Sequence, residues 1–205
     1  MQDGLMLRIK NQGYLKTAWY IFTVFILPRI GIDIKFTYKK DSEEYSKNVN
    51  LSSNVSIEVI EDFNQLTTLD VKLLYEFEGD SILTRMKDDF KKKNICILCK
   101  KYTDTLVGMA WLEPTCGDNI GWRTYLHRDS IVFPESRGKG YSPIQRVKTY
   151  AEMIKRSDNQ RVVFLANIYI GNRSSIKSAS KAGFNYYKTS IQFFKTWEFI
   201  VHKVL

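Results

Sequence analysis

Hydrophobic and polar residues alternate through Val55–Ile60 (Val-Ser-Ile-Glu-Val-Ile), the period-two pattern of a half-buried strand. The period then lengthens. Asp62 is placed to cap a helix running to about Phe77, and Gly79-Asp80-Ser81 separates it from a second helix ending near Lys93. Asn94–Tyr102 and Thr105–Leu112 read as strands joined by a hairpin turn at Thr103-Asp104. After a loop at Cys116–Gly121, Arg123–Phe133 is a further strand. Pro143–Arg156 is helical, with Ile144, Val147, Tyr150, Ala151 and Ile154 on one face. Arg161–Tyr169 reads as a buried strand, and Asn172–Ala182 as a small-residue helix stopped by Gly183. Tyr186–Phe194 and Glu198–Leu205 close the pattern as strands. With no internal repeat, this order predicts one mixed α/β domain over 55–205, built around a single sheet.

The first 54 residues differ. Ala18–Leu27 is an uncharged run, too short to span a bilayer, which takes about 20 apolar residues. Pro28-Arg29 follows where a signal peptide would need a small-residue cleavage site. Two readings stand: a helix packed on the domain or in a homodimer interface, or an interfacial segment over 14–30. In the second, aromatics enter the headgroup region while Arg8, Lys10, Lys16, Arg29 and Lys35 meet anionic lipid. Asp41–Asn54 is rich in Ser, Asn, Glu and Lys and reads as an exposed linker. Residues 1–54 are therefore expected to form an extension: an apolar helix plus a linker or strand.

Charge sharpens the picture. The net charge of +9 is distributed as +3 over residues 1–50, −1 over 51–102 and +7 over 103–205. The basic excess lies in the last half, which suits an anionic ligand. Three cysteines are too few for a disulfide framework, and the odd count points to a reducing, cytoplasmic compartment. Cys96 and Cys99 spell C-x-x-C, but they sit in an apolar run without a turn and read as strand core. With only His127 and His202 to add, no metal site is expected.

The candidate chemistry centres on Ile131–Ser142, Ile-Val-Phe-Pro-Glu-Ser-Arg-Gly-Lys-Gly-Tyr-Ser. A β-branched run stops at Pro134; Arg137-Gly138-Lys139-Gly140 forms a loop; Ser142-Pro143-Ile144-Gln145 has the form of a capping box. Strand, glycine loop and helix start make an anion-binding device, because glycines let backbone N–H groups turn to a ligand and the helix N-terminus adds unpaired donors.

The stretch Val132–Ser142 resembles the acyl-CoA-binding motif of the GNAT superfamily of N-acetyltransferases, in which Val-x-Pro leads into Arg-Gly-x-Gly-x-Gly/Ala. Asn172-Arg173-Ser174-Ser175 through Lys181-Ala182-Gly183-Phe184 is similar to that superfamily's downstream helix, which commonly ends Lys-x-Gly-Phe. The resemblance covers about residues 55–205, with Ser142 replacing the usual Gly or Ala. It implies a mixed, mostly antiparallel sheet splayed between its fourth and fifth strands, with acetyl-CoA or another acyl-CoA as cosubstrate and no metal. Pantetheine would pair with the backbone of Ile131, Val132 and Phe133. The pyrophosphate would sit on Arg137, Gly138, Lys139, Gly140, Tyr141 and Ser142, and Asn172 and Ser175 would lie at the cofactor's edge or cap their helix.

Acetyl transfer needs a neutral amine, a stabilised oxyanion and a thiolate that leaves. Asp129, three residues before Val132, is the candidate base or substrate-orienting carboxylate; His127 and Tyr125 share its face at strict alternation and stand in reserve. A backbone N–H of Val132 or Phe133 would hold the oxyanion. Relatives often carry a tyrosine acid four residues before Gly-Phe, where this chain has Ala179; Ser175, Tyr186 and Tyr187 are the remaining hydroxyls. The acceptor is expected to be a small-molecule amine, acidic or neutral, such as an amino sugar or polysaccharide precursor. A protein amine and a non-catalytic CoA-binding role are the alternatives. No specific nucleic-acid binding is expected, since no such signature is present.

Overall fold

The computed structural model describes residues 14–29, 32–42, 54–115, 122–158, 160–193 and 197–202. The loop expected at Cys116–Gly121, the cations Arg8 and Lys10, and most of the linker lie outside these residues. The chain forms eight strands: β1 (Ile32–Asp41), β2 (Val55–Ile60), β3 (Ile95–Lys101), β4 (Leu106–Thr115), β5 (Trp122–Val132), β6 (Arg161–Tyr169), β7 (Asn185–Phe193) and β8 (Trp197–His202). Five helices accompany them: α1 from Tyr14 through a π turn to Arg29, α2 (Thr68–Glu78), α3 (Asp80–Lys91), α4 (Tyr141–Lys155) and α5 (Arg173–Lys181). Two compact units result, one of Lys40–Leu165 and one of Met1–Lys39 with Ala166–Leu205.

In the larger unit the strands order β2-β3-β4-β5-β6. Every neighbour is antiparallel except β5 and β6, which run parallel. That ladder covers Trp122↔Arg161 to Leu126↔Leu165 and stops, so β5 continues to Val132 paired with β4 alone. This is the expected splay, at strands 4 and 5 of the sheet that β2 begins. β2 alternates as expected, and α2 and α3 cover one face: Leu74, Ile82 and Met86 pack on Cys96, Leu98, Met109, Trp111 and Phe133. On the other face Val55, Cys99 and Val107 meet Tyr141 and Ile144 of α4. Cys96 and Cys99 are both fully buried free thiols in β3, within different clusters, as strand core requires. Burial pushes the Cys99 thiol up to about 11 and that of Cys96 higher still.

Two polar fastenings support these layers. Lys100 Nζ lies 2.6 Å from Asp70 Oδ1 and 2.8 Å from Glu58 Oε2, tying α2 to β2 and β3. Burial alone would raise the Asp70 carboxyl, but hydrogen bonds from Lys100 and Thr67 hold it below the usual carboxylate range. Arg161 at the head of β6 grips Asp41 through Nε (2.9 Å) and Nη2 (2.5 Å), with its guanidinium 3.8 Å from the Trp122 ring centroid. The cap of α2 differs from expectation. Asp62 caps only the short 3-10 turn Phe63–Gln65, and Thr67 caps α2 in a box with Asp70, because Leu66 is extended and breaks the helical run.

In the second unit β6 continues beside β1, followed by β7 and β8, with β1 and β7 antiparallel from Ile32↔Phe193 to Lys39↔Asn185. The expected apolar helix is present as α1. It is interrupted at Phe22–Ile26 by a π turn in which Leu27 N–H donates to Phe22 O. Pro28 explains the widening, since its ring would collide with the Val24 carbonyl of a regular α-turn. Thr23 lies so close to Gly171 that a Cβ there would stand 1.8 Å from its Oγ1. The opposite side of α1 exposes Tyr14, Leu15, Trp19, Phe22, Phe25 and Ile26. Among the described residues, no helix is long and apolar enough to cross a membrane.

Gly108 sets the spacing of β4 and β5. A Cβ there would sit 2.3 Å from Ile131 O and 3.2 Å from Val132 Cα, both backbone atoms that cannot step aside. Gly108→Ala is expected to cost about 1–3 kcal/mol by overpacking. Urea denaturation should show a lowered midpoint, and an unchanged midpoint would mean the strands are not held this closely.

Candidate active site

β5 changes character halfway along. Arg128 pairs with Trp111 and Ile131 with Met109, so Asp129 and Ser130 together oppose Ala110 in a β-bulge. Asp129 takes φ +44°, a left-handed conformation that aspartate tolerates better than most residues. Strict alternation would have put Asp129 on the face of Tyr125 and His127. The bulge interrupts that alternation, and Arg128 and Ile131 consequently share the face that Met109 and Trp111 present to α2 and α3. The Asp129 side chain is 52% exposed, with Oδ2 3.6 Å from Arg128 Nη2. Arg128 also reaches Glu113 (Nη1–Oε2 2.5 Å) and Asp89 (Nη2–Oδ1 3.6 Å), so it spans three carboxylates.

His127 and Tyr125 are buried, at 4% and 7% exposure. Tyr125 stacks on Phe164 with centroids 5.8 Å apart and lines a cavity of about 460 Å³ with Arg123, Lys93, Arg156 and Glu61. His127 Nδ1 lies 3.2 Å from the Tyr150 hydroxyl. Burial, with the Arg146 charge beside it, holds the imidazole well below its ordinary value of 6.5, so it is neutral at pH 7. Burial pushes the Tyr150 phenol up despite a hydrogen bond from Arg146. Arg146 can only donate, so the Tyr150 oxygen accepts from it.

The loop after β5 folds back on its strand. Phe133 N–H donates to Val107 O (2.9 Å), and a short 3-10 turn over Pro134–Ser136 follows. Alternation along β5 turns the Val132 amide group to the other edge, where Val132 O accepts from Arg137 Nε (3.0 Å). Lys139 Nζ donates to Glu135 O (2.7 Å), and Arg137 N–H is committed to Pro134 O (3.2 Å). Gly138 and Gly140 have φ +76° and +78°, with open space where a Cβ would project.

The helix start differs from the expected capping box. Gly140, in the left-handed conformation, is the N-cap of α4, and no side chain caps it; Ser142 and Pro143 lie inside the first turn. The glycine turns the chain two residues earlier than a capping serine at 142 would, placing the amides of Tyr141 and Ser142 in the first turn at the helix mouth. Gln145, the expected capping partner, is instead 1% exposed with neither side-chain Oε1 nor Nε2 hydrogen-bonded. Tyr141 is half-buried against Val55, Cys99 and Val107.

The expected inner face of α4 is partly corrected. Val147 and Tyr150 are buried, but Gln145, Arg146, Thr149 and Met153 complete the stripe, while Ile144, Ala151 and Ile154 are half-buried. Sequence reasoning missed this polar stripe because it followed the aliphatic residues alone. Its signal was the i, i+4 pair Gln145–Thr149 beside Arg146–Tyr150. His127 Nε2, Ser130 Oγ and Thr149 Oγ1 are likewise buried without partners.

Asn172 and Ser175 belong to the second unit. Asn172 is the N-cap of α5, and its Oδ1 accepts from Ser175 N–H (3.4 Å) and Ser174 Oγ (3.0 Å). Ala179 is wholly buried, with its carbonyl accepting from Phe184 N–H (3.0 Å). Tyr186 bonds Thr189 Oγ1 at 2.5 Å, and Tyr187 is 40% exposed. Among the described residues no three His, Cys, Asp or Glu converge as a metal site.

No protein-family model matches the chain, and no curated protein matches it in sequence. Solved structures do. A tandem GNAT protein from the clavulanic acid biosynthesis pathway superposes with a TM-score of 0.58 at 13% identity, over 82% of this chain and 54% of that one. An acetyltransferase of the GNAT family from Colwellia psychrerythraea gives 0.50 at 14% identity, over 79% and 56%. The chain spans little more than half the length of either. With these likenesses, the splayed mixed sheet and the glycine-capped helix that follows it, the protein has the GNAT fold.

His127 supplies a test of the buried polar cluster. Its depressed value means that the unfolded chain binds a proton the folded one refuses, below about pH 6.5. Full stability is present above that pH and is lost as pH falls towards the folded-state value, by at most about 1.4 kcal/mol per unit. Urea melts between about pH 7.5 and 5 should show this slope, reduced by His127→Gln. Equal slopes in both proteins would place His127 in contact with solvent.

Proposed function

We propose that the protein is an acyl-CoA-dependent N-acyltransferase, in the simplest case an acetyltransferase, carried by residues 55–205. The observation that supports this most is the left-handed Gly140 opening α4, directly downstream of a strand that has lost one neighbour. This arrangement fits acetyl-CoA. Amides of Gly138–Ser142 and the α4 dipole suit a pyrophosphate, each such contact contributing about 0.3–1 kcal/mol at an exposed site. Arg137 and Lys139 add charge, and the outward amide groups of β5 near Val132 suit an amide-bearing arm. The bound thioester supplies the activated acetyl group.

The remaining chemistry falls to residues of this chain. Val132 N–H is the donor for the oxyanion, because Phe133 N–H is spent on Val107. Asp129, exposed in the bulge, pairs with the incoming amine and takes its proton directly or through water. His127, buried and neutral, positions β5 through Tyr150. The acceptor is a small-molecule amine of neutral or acidic character, consistent with the +9 charge.

Calorimetry with acetyl-CoA should give saturable binding below about 1 mM, and Gly140→Trp should weaken it at least about tenfold with an unchanged circular dichroism spectrum. Equal affinities would move the pyrophosphate elsewhere, and absence of binding would remove the proposal. Over an amine panel, Asp129→Asn should lower turnover by about 100-fold or more if the carboxylate is the base. A loss of only a few-fold would assign it to orientation.

The exposed aromatic side of α1 supports a second element, contact with an anionic membrane surface. Trp19, Phe22 and Phe25 suit the headgroup region, and Lys16, Arg29 and the positive net charge complement acidic lipid. Flotation with vesicles containing phosphatidylserine should recover the protein, and Trp19→Ser with Phe22→Ser should reduce recovery. Equal recovery would exclude this face.

A further inference from the structure

In the second unit, β1 and β7 oppose three successive polar pairs, Asp33↔Gln192, Lys35↔Ser190 and Thr37↔Lys188. The intervening pairs Ile34↔Ile191 and Phe36↔Thr189 lie on the opposite face. The six polar side chains, with Asn167 of β6, line a cavity of about 300 Å³ that contains no apolar lining residue. A polar sheet face open to water would need no explanation, but this one is half closed. Thr37 is 3% exposed and the Asp33 side chain 21% exposed. Asp33 Oδ1 is buried without a hydrogen-bond partner, although Oδ2 lies 3.4 Å from Lys35 Nζ. Closing polar groups away from water costs free energy unless something pairs with them.

We propose that this cavity binds a monosaccharide-sized polyol carrying one anionic group, a carboxylate or a phosphate. Asp33 Oδ1 needs a donor, which a sugar hydroxyl supplies. Lys35 is occupied by Asp33 and stands 4.9 Å from the Tyr169 ring centroid. Lys188 has no ion-pair partner among the described residues, which leaves a net positive end to the cavity. Asn167 has its Oδ1 engaged by the Thr37 hydroxyl (2.8 Å), so its NH2 is the group it offers. Positions 33 and 37 are about 13 Å apart along the strand, so a lone small anion cannot serve both ends. A nucleobase or acyl chain finds no aliphatic or aromatic side chain among the lining residues. The size is at the small end for ligand pockets and suits a single sugar ring.

This inference does not rest on acetyl transfer, and its test uses no acyl-CoA. Full-length protein is titrated by calorimetry with glucose 6-phosphate, glucuronate, glucose and inorganic phosphate, each to about 10 mM. At least one of the two charged sugars should bind saturably, with glucose and inorganic phosphate at least about tenfold weaker. Lys188→Met should lower the charged sugar's affinity about tenfold, Asn167→Leu should weaken it also, and Gly140→Trp should leave it unchanged. Circular dichroism checks the fold of each variant. Absence of binding, equal binding of inorganic phosphate, or loss in Gly140→Trp with retention in Lys188→Met would each overturn the proposal. The last outcome would place the anion on the glycine loop instead.

Discussion

Strand β5 is hydrogen-bonded on both edges as far as Leu126 and on one edge beyond it. Amide groups on a deserted edge must find partners, and Val132 O does so by accepting from Arg137 of the following loop. The close approach of Gly108 to Ile131 keeps the retained edge tight. Phe133 N–H is consumed on that side, so Val132 alone turns outward at this point. The chain then reverses through two left-handed glycines and starts α4 with its first amides uncapped by any side chain. The candidate site is thus built from backbone, and its geometry follows from where one ladder ends.

Behind that backbone lies an unusual interior. The face of α4 turned to β5 is polar at Gln145, Arg146 and Thr149, and β5 answers with His127 and Ser130. Buried polar atoms lacking protein partners are normally paired by internal water. A neutral His127 avoids adding a second charge beside Arg146. The larger unit therefore has two different layers: an apolar one under α2 and α3, and one under α4 in which buried polar groups lie beside the apolar cluster of Val55, Cys99 and Val107.

Much of this was legible in the chain. The order strand, glycine loop, helix is present over Ile131–Ser142 as the residues predicted, and the alternation of Val55–Ile60 and the apolar run at Ile95–Cys99 located strands of the sheet. Local chemistry misled where two local signals competed. Ser142-Pro143-Ile144-Gln145 carries a complete capping signature, yet Gly140 caps α4 because a left-handed glycine already turns the chain. Asp62 lost α2 to Thr67 in the same way, through one extended residue between them. The burial of Gln145 and Thr149 was hidden because helical periodicity counts aliphatic residues, whereas the opposing strand brought polar ones. The pairing of Asp33, Lys35 and Thr37 with β7 depends on partners some 150 residues away, which no local pattern encodes.

The bulge at Asp129 and Ser130 has a consequence for matching this strand to others. Adding or losing one residue inside a strand normally exchanges its two faces and ruins the core. Here the supernumerary residue is already absorbed: Trp111 and Met109 meet Arg128 and Ile131 with the parity restored. Loss of one residue between Arg128 and Ile131 would therefore leave both flanking pairs on their present faces. A strand without the bulge would match this β5 only across a one-residue gap at that point.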